Sequence, residues 1–288
     1  MMAEEVAILM TVFNRREKTL SCLDGCFRQI DGIKSTGEYS FTVYLVDDGC
    51  TDGTAEAVAE AFPQVHIIRS GGGLFWNQGM IAAWDEASGT DPGFYLWLND
   101  DTTLRPGAFE CLLENSKFFR NKAIVVGTTV DSSGAYSYGG RARNNRIVEP
   151  DSKIPVPCYT FNGNIVLVPR YVYGILGTLD RAYRHSFGDY DYGARAFQAD
   201  VPRVVAPGIL GECNRNPGID KWRDGSYSLK ERYRYLLSPK GRPPREQFRY
   251  DMRSMGFFRA IGHQISITMK VLFPLRASGK KQNTNEQD

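Results

Sequence analysis

The stretch that decides the fold is Phe94-Tyr-Leu-Trp-Leu-Asn-Asp-Asp-Thr-Thr103. In it, five apolar or aromatic residues are followed by Asn99 and then by two adjacent carboxylates. A continuous apolar run of this length predicts a buried strand. Adjacent carboxylates at its end repel each other, and burial increases the cost. A divalent cation bound to their oxygens would remove that cost and bridge a diphosphate. The alternative is an ordinary turn, since Asn and Asp favour turns.

The first half of the chain alternates between predicted strands and predicted helices. Apolar patterns predict strands at residues 6–12, 41–46, 65–68 and 94–98, and helices at residues 15–29, 53–62 and 76–87. Beyond residue 105 the pattern is looser and predicts helices at residues 106–119 and 188–198, strands at residues 123–130 and 161–168, and a hairpin or mobile loop at residues 131–157. Repeated strand–helix–strand units imply right-handed crossovers, so we expect an α/β fold with a mostly parallel central sheet flanked by helices. Such sheets bind ligands at the carboxyl ends of their strands.

Polar side chains follow three of these predicted strands. Thr11 and Asn14 follow the first strand, Asp47 and Asp48 the second, and Asp100 and Asp101 the fourth. Because the carboxyl ends of parallel strands lie at one edge of a sheet, we expect these side chains to converge.

Charge is unevenly distributed along the chain, although the net charge is only +2. Residues 221–288 hold 15 Lys and Arg against 6 Asp and Glu, whereas residues 1–220 hold 20 against 27. A basic C-terminal region predicts an anionic partner. No recognition motif accompanies the charge, so nucleic acid is disfavoured.

The cysteines and the N-terminus predict a cytoplasmic protein. Six cysteines show no paired zinc spacing, and free thiols are typical of a reducing compartment. The N-terminal apolar run is too short for a signal peptide. With three unpaired histidines, a zinc site is disfavoured.

Five segments in the same chain resemble the motifs of family-2 glycosyltransferases with the GT-A fold. The resemblance covers about residues 4–215, and the motifs keep the order of the family. The segments are Leu9-Met-Thr-Val-Phe-Asn-Arg15, Val46-Asp-Asp-Gly-Cys-Thr-Asp-Gly-Thr54, Leu98-Asn-Asp-Asp101, Asn162-Gly-Asn-Ile-Val-Leu-Val-Pro-Arg170 and Phe187-Gly-Asp-Tyr-Asp-Tyr-Gly-Ala-Arg195.

The resemblance implies a nucleotide site in the first half of the chain. Thr11 and Asp48 would contact a uracil or thymine base, and Asn14 would lie beside them. The segment 71–79, which contains three glycines and Asn77, would lie along the nucleotide, where glycines permit close backbone approach. A plain flexible loop is the alternative for this segment.

The same resemblance implies the chemical roles. Asp100 would hydrogen-bond the ribose, Asp101 would bind Mn²⁺ or Mg²⁺ on the diphosphate, and Asp189 would be the general base. The implied reaction is inverting transfer of a sugar from a UDP-sugar or dTDP-sugar donor to a glycan or lipid-linked acceptor, in bacterial surface polysaccharide synthesis. The alternatives are a catalytically silent sugar-nucleotide-binding protein and a sugar nucleotidyltransferase, although the latter lacks its Gly-rich loop after the first strand.

The base motif departs from the family pattern at one position. The usual Glu-Asp pair is Gly188-Asp189 here, which makes Asp191 a rival for the base. On a helix these two carboxylates point about 200° apart, and Asp191 is spaced to pair with Arg195. We therefore favour Asp189 as the base. His185 would either touch the acceptor, tune Asp189 or be structural. Asp191 and Arg195 are further candidates for contact with the acceptor or for a supporting position behind it.

The resemblance also sets the expected domain organisation. Residues 1–215 would form the catalytic domain, divided at about residue 105 into a nucleotide-binding half and an acceptor and base half. Residues 216–276 would form a loop and a basic helical extension, and residues 277–288 a disordered tail.

Residues 245–276 form the basic extension, which we predict to be one amphipathic helix. Basic residues lie between apolar positions spaced three and four apart. The apolar stripe consists of Phe248, Met252, Met255, Phe258, Ile261, Ile265, Met269 and Leu272. One interpretation is peripheral binding to the anionic inner face of the cell membrane. The alternative is packing on the catalytic domain with the basic side in solvent.

Overall fold

The computed structural model describes residues 3–35, 37–215 and 221–274. The chain divides into two compact units, Met1–Asn216 and Pro217–Asp288. The first unit covers the residues predicted to form a catalytic domain. The predicted disordered tail, residues 277–288, lies outside the described residues.

The first unit is built on a large central sheet. Its strands are β1 (Glu4–Val12), β2 (Tyr39–Asp47), β3 (His66–Arg69), β4 (Phe94–Leu98), β5 (Thr103–Leu104), β6 (Ile124–Val126), β7 (Thr129–Val130), β8 (Tyr136–Tyr138), β9 (Gly140–Arg141), β10 (Val156–Pro157), β11 (Thr160–Phe161), β12 (Ile165–Pro169), β13 (Arg203–Val205) and β14 (Gly211–Glu212). Eight of these form the central sheet in the order β10-β13-β6-β12-β4-β1-β2-β3. Four other strands form a second sheet in the order β5-β14-β7-β8, and β9 pairs with β11.

The central sheet is parallel where the nucleotide was expected. Strand β1 runs parallel to β2 and β4, and β2 runs parallel to β3. Strand β12 is antiparallel to both β4 and β6, while β6 and β13 are parallel. The predicted α/β fold with a mostly parallel sheet is therefore confirmed.

Helices cover both faces of this sheet. They are α1 (Arg16–Lys34), α2 (Thr54–Ala61), α3 (Phe75–Ser88), α4 (Ala108–Phe118), α5 (Arg170–Leu176) and α6 (Gly188–Gln198). Alternate residues of β1 point to opposite faces, as the pleat requires. Ile8 joins a core that includes Leu23 of α1 and Phe109 of α4. Leu9 joins a separate core that includes Trp84 of α3.

Sequence periodicity located the elements of the first half within a few residues, but it was less accurate beyond residue 105. The strand predicted at 123–130 is two strands, because the chain leaves the central sheet at Gly127 and enters the second sheet. The strand predicted at 161–168 is also divided, at residues 162–164. Helix α5 was not predicted. The segment 131–157, predicted as a hairpin or mobile loop, contains β8, β9 and β10.

The second unit is helical. A 3-10 turn at Lys221–Arg223 precedes α7 (Leu229–Leu237), α8 (Pro244–Met255) and α9 (Phe257–Leu272). The prediction of one continuous helix over 245–276 is wrong, because Gly256 adopts φ 85° and ψ 167° and separates α8 from α9. Trp222, Leu236, Ile267 and Val271 form the buried apolar core of this unit. Among the described helices, none has the length and apolarity needed to span a membrane.

Candidate active site

The site is centred on the carboxyl ends of β1 and β4. Strand β1 lies between β2 and β4, so the strand order reverses there, which is where ligands bind in open α/β sheets. Arg15, just after β1, places Nη1 2.7 Å from Asp101 Oδ2 and 3.2 Å from Asp100 Oδ1. The two strand ends therefore converge as expected. Arg15 itself was not predicted to belong to the site.

Arg15 compensates part of the repulsion between the two carboxylates. Asp100 is buried, and desolvation raises its pKa to about 6, with Asp101 adding to the rise and Arg15 opposing it. Burial disfavours the Arg15 charge, but Asp100 and Asp101 together raise the pKa of Arg15. The Cys213 thiol lies 3.5 Å from Asp101 Oδ1, and burial raises the pKa of Cys213 to about 12, so it donates as a neutral thiol.

The same carboxylates fit a divalent cation completed by substrate. Among the described residues, no group of three or more His, Cys, Asp and Glu side chains is arranged as a metal site. Asp100 Oδ2 is nevertheless buried, with no hydrogen-bond partner in the described part of the chain, and Asp101 lies beside it. Mg²⁺ in particular commonly takes one or two carboxylates together with substrate phosphates and water. Asp100 and Asp101 therefore suit an ion that is bound together with a diphosphate.

Asp48 organises the glycine-rich segment after β3. Its Oδ1 accepts hydrogen bonds from Leu74 N at 2.9 Å and Ser70 Oγ at 3.0 Å, and its Oδ2 accepts one from Phe75 N at 2.8 Å. Each carboxylate oxygen can accept two hydrogen bonds, so Oδ2 keeps capacity for one more. Asp48 is itself buried.

The glycines at this turn are required by close packing. A Cβ atom on Gly49 would lie 2.9 Å from the Cα of Gly72, and Gly72 and Gly73 both have positive φ angles. This close approach, together with the Asp48 hydrogen bonds, makes residues 71–75 an anchored turn. The interpretation of this segment as a plain flexible loop is therefore wrong.

Asn14 and Thr11 complete the β1 end of the site. Asn14 Oδ1 accepts a hydrogen bond from Thr51 N at 2.8 Å, and Asn14 N donates to Cys50 Sγ at 3.3 Å. Asn14 thus ties the loop after β1 to the loop after β2, and Cys50 acts as the acceptor. Thr11 is partly buried and packs against Gly79 of α3. A Cβ atom added to Gly79 would lie only 2.2 Å from Thr11 Oγ1.

Trp76 connects the two ends of the site, and the sequence analysis did not identify it. Its Nε1 donates to Asn99 Oδ1 at 2.8 Å, next to Asp100. Its ring fills the space above Gly163, where a Cβ would lie 2.4 Å from the ring. Its backbone N donates to His185 Nδ1 at 3.4 Å, so His185 helps to hold the start of α3.

Asp189 lies in the first turn of α6, beyond Trp76. Its Oδ2 accepts a hydrogen bond from Gly163 N at 3.0 Å, and its Oδ1 accepts one from Tyr190 N at 2.8 Å. Desolvation raises the pKa of Asp189 to about 6, although both backbone N–H groups favour the ionised form. Asp189 taken as a whole residue is only partly buried. A carboxylate of this kind can exchange a proton near neutral pH.

Asp191 is inaccessible, unlike Asp189. It is fully buried, it accepts a hydrogen bond from Tyr183 Oη at 2.8 Å, and it pairs with Arg195 Nε at 3.2 Å. Arg195 also donates to the carbonyl oxygens of Leu176 and Thr178. The predicted Asp191–Arg195 pair is confirmed. Burial contradicts Asp191 as the base or as an acceptor contact, because Asp191 and Arg195 instead tie α6 to the residues after α5.

Asn77 is also buried, which contradicts its predicted contact with the nucleotide. Its Nδ2 donates to the carbonyl oxygens of Asp180 at 3.1 Å and Tyr183 at 2.7 Å. Its Oδ1 occupies the space beside Gly188, where a Cβ would lie 1.8 Å away. Asn77 therefore fills the position that a side chain at residue 188 would need, which is the physical reason for glycine before Asp189.

Comparisons with known proteins agree with this architecture. The model of the family described as Glycosyl transferase family 2 matches residues 7–190. The proteins named N-acetylglucosaminyl-diphospho-decaprenol L-rhamnosyltransferase from two strains of Mycobacterium tuberculosis, CDC 1551 / Oshkosh and ATCC 25618 / H37Rv, are each 24% identical over 213 residues. The alignment covers 62% of this chain and 68% of each relative.

Two solved structures share the fold at low sequence identity. S. aureus TarS in complex with UDP-GlcNAc has a TM-score of 0.61 at 12% identity, covering 93% of this chain and 71% of that chain. The mannosyltransferase PcManGT from Pyrobaculum calidifontis, in complex with GDP-Man and Mn²⁺, has a TM-score of 0.56 at 15% identity, covering 94% and 70%. At these identities the likeness concerns the fold alone.

Proposed function

This chain belongs to glycosyl transferase family 2 and has the GT-A fold, and from that premise we propose that it is an inverting transferase of a UDP-sugar or dTDP-sugar. The acceptor hydroxyl attacks the anomeric carbon while the bond from that carbon to the diphosphate oxygen breaks. The hydroxyl proton passes to Asp189. One displacement of this kind inverts the configuration at the anomeric carbon.

One observation carries this proposal: Trp76 joins the Asp100–Asp101 pair to Asp189. Trp76 Nε1 bonds Asn99, its ring packs on Gly163, and Gly163 N bonds Asp189 Oδ2 at 3.0 Å. A donor end and a proton-accepting end on a shared rigid support are what transfer between two bound substrates requires. The retained Asp189 also argues against a silent binding protein, because the neighbouring Gly188 is explained by packing against Asn77.

The donor end would be assembled from the loops after β1, β2 and β4. We assign the base to Thr11 and Asp48, with Asn14 holding their loops together, and the ribose to Asp100. Asp101 would hold Mn²⁺ or Mg²⁺, with the partnerless Oδ2 of Asp100 beside it. When bound, such an ion stabilises the negative charge of the departing diphosphate. Arg15, which already contacts both carboxylates, would keep them oriented.

One comparison supports the acceptor assignment. The mycobacterial relatives are named for an acceptor in which a sugar is linked through diphosphate to a polyprenol. We extend this to a lipid-linked acceptor at the inner face of a bacterial membrane, in surface polysaccharide synthesis. Asp48 further supports a pyrimidine, because a carboxylate accepts the ring N–H of uracil or thymine.

Thermal unfolding with nucleotide sugars tests the donor assignment. UDP-, dTDP- and GDP-sugars would each be added with Mn²⁺, with Mg²⁺ or with EDTA. At about 100 times the dissociation constant, the correct donor raises the melting temperature by roughly 5 °C or more. We expect that shift with UDP- or dTDP-sugars and a divalent ion. A shift unchanged by EDTA rejects the metal assignment, and a shift with GDP-sugars alone rejects the pyrimidine assignment.

Product analysis then separates transfer from silent binding. With the donor identified, NMR of the product on a soluble lipid-diphosphate acceptor should show the anomeric configuration opposite to that of the donor. Retained configuration contradicts the single displacement. Donor binding without turnover on any acceptor of this class favours the silent binding protein.

A further inference from the structure

Helix α9 has two opposite apolar faces, and only one of them is covered. Ala260, Ile267 and Val271 are buried, and the last two belong to the core of the second unit. At 100° per residue, the opposite face carries a row of exposed apolar side chains. These are Phe258 (86% exposed), Ile261 (38%), Ile265 (60%), Met269 (48%) and Leu272 (48%).

The exposed row continues beyond α9 in both directions. Met252 and Met255 at the end of α8 are exposed, as are Phe257 and Phe273 at the two ends of α9. Seven of the eight predicted stripe residues are thus exposed, and Phe248 is partly buried. Single exposed apolar residues are ordinary, but this many large exposed apolar residues on two adjacent helices mark an interaction surface. We call these exposed residues of α8, α9 and Phe273 the apolar strip.

The charges around the apolar strip are of one sign. Arg245, Arg249, Arg259 and Lys270 of α8 and α9 are exposed. The acidic residues of these two helices, Glu246 and Asp251, are buried. Asp251 is bonded to His263 Nδ1 at 2.8 Å and to Gln247 Nε2 at 2.9 Å. The surface of α8 and α9 therefore offers apolar and positively charged groups together, with its carboxylates turned inward.

We propose that the apolar strip is a docking surface for an anionic lipid membrane. A helix with one apolar face and flanking Lys and Arg lies in the membrane interface, where its apolar side chains enter the acyl boundary and its cations meet lipid phosphates. A second copy of this chain is a poorer occupant. The exposed charges of α8 and α9 are all positive and their carboxylates are buried, so a symmetric contact between two copies would offer these cations no exposed carboxylate on the same helices to pair with.

Docking through the apolar strip would hold the enzyme where a lipid-linked acceptor resides. The inference itself does not rest on the proposed transfer, because membrane binding is measured without donor or acceptor. A failure of membrane binding would therefore leave the proposed transfer reaction standing, and a failure of transfer would leave the membrane proposal standing.

Vesicle co-sedimentation of the full-length chain tests the proposal. Vesicles of phosphatidylcholine alone would be compared with vesicles containing 30% phosphatidylglycerol, roughly the anionic fraction at which polybasic segments bind. We expect binding to the anionic vesicles that weakens in high salt, because the electrostatic part is screened. Absence of binding to anionic vesicles at low salt overturns the proposal.

A matched pair of variants isolates the apolar strip. Phe258→Glu should lower vesicle binding about tenfold or more, because it removes a membrane-inserting ring and adds a negative charge. Phe118→Glu makes the same change at a residue of the first unit that is 74% exposed, and it should bind vesicles like the wild type. Equal losses in the two variants mean that the added charge alone is responsible, and they overturn the assignment to the strip.

A second pair tests charge and oligomerisation. Arg259→Gln combined with Lys270→Gln should weaken binding to anionic vesicles by roughly 25-fold, because each cation near such a surface contributes about fivefold.

Sedimentation velocity compares the oligomeric state of the wild type with that of Phe258→Glu. We expect the two proteins to have the same mass in solution. If Phe258→Glu instead dissociates an oligomer and leaves vesicle binding intact, the strip belongs to a second copy and the proposal is wrong.

Discussion

The two ends of the site hold buried carboxylates in different ways. Asp100 and Asp189 both have a pKa raised to about 6, and desolvation is the main cause in each case. Asp100, however, shares the Arg15 guanidinium with Asp101, while Asp189 is held by the backbone N–H groups of Gly163 and Tyr190.

This difference separates the two expected tasks. Arg15 brings a positive charge that orients two carboxylates toward one point, as binding a cation and a diphosphate would require. Backbone N–H groups orient Asp189 without a neighbouring side-chain cation in hydrogen-bond contact, and its raised pKa suits a group that takes up and releases a proton near neutral pH. The two ends therefore differ in the partners of their carboxylates and not in the pKa values.

Asp189→Asn should produce the largest effect. Asn cannot accept the acceptor proton, and its oxygen can still accept the Gly163 N–H. We expect turnover to fall by about 10²- to 10⁴-fold, the usual contribution of a general base, while donor affinity measured by calorimetry stays within about twofold.

Asp191→Asn is the matched control for that variant. It removes the charge partner of Arg195 in a buried position, so we expect a melting temperature several degrees lower but measurable turnover. If Asp191→Asn abolishes turnover in folded protein and Asp189→Asn does not, the two roles must be exchanged.

Separate substitutions of Asp100 and Asp101 should distinguish ribose binding from metal binding at the donor end of the site. Asp101→Asn should lower kcat/KM on the order of 100-fold and make the remaining activity insensitive to the choice of Mn²⁺ or Mg²⁺, since the metal contributes several kcal/mol. Asp100→Asn should mainly raise the donor KM, by roughly tenfold, the loss expected for one or two hydrogen bonds.

Folding should survive in both variants, because Arg15 keeps one carboxylate partner in each. Circular dichroism and thermal unfolding check this. Identical kinetic defects in the two variants contradict the assignment of ribose to one carboxylate and metal to the other.

The smallest expected effect is the dependence of kcat/KM for the acceptor on pH. A base must be ionised to act, so with donor saturating, kcat/KM for the acceptor should be level above about pH 7. It should fall roughly tenfold per unit below the Asp189 pKa of about 6. A profile that stays level down to pH 5 would mean that Asp189 does not accept the proton.

Stability provides an independent measurement of the same pKa. Because the pKa of Asp189 is raised in the folded chain, the protonated carboxyl stabilises the fold at low pH, and that contribution is lost as pH rises through about 6. The melting temperature of the wild type relative to Asp189→Asn should therefore fall between about pH 4 and 6. A constant difference over this range contradicts the raised pKa.

Much of the fold could be predicted because its signals are local. The apolar run of β4 and the periodic pattern of α6 gave the bounds that the structure has, Phe94–Leu98 and Gly188–Gln198. The strands divided at Gly127 and at residues 162–164 were not predicted, because one apolar run serves two sheets. Gly127 and Asn162-Gly-Asn164 interrupt these segments, but only pairing with partners distant in the chain shows that the two parts of each join different sheets.

The candidate site also combines residues that could be predicted from the sequence with residues that only the structure identified. Residues that follow a strand, such as Asp100 and Asp101, were expected at the sheet edge from topology alone. Asn77 was misassigned because the carbonyl groups that bury it belong to Asp180 and Tyr183, more than a hundred residues later. Arg15 ends the first motif and Trp76 lies within segment 71–79, but only their contacts with Asp101 and Asn99 revealed their part in the site.

The sequence by itself determined the α/β sheet, the edge where polar residues gather and the amphipathic character of the C-terminal region, because apolar periodicity and strand order are properties of the chain. Only the tertiary structure decided which carboxylate is reachable, Asp189 or Asp191, and which face of α9 is covered. Burial is decided by residues far away in the chain. A periodic pattern identifies an apolar face, but it does not say what lies against it.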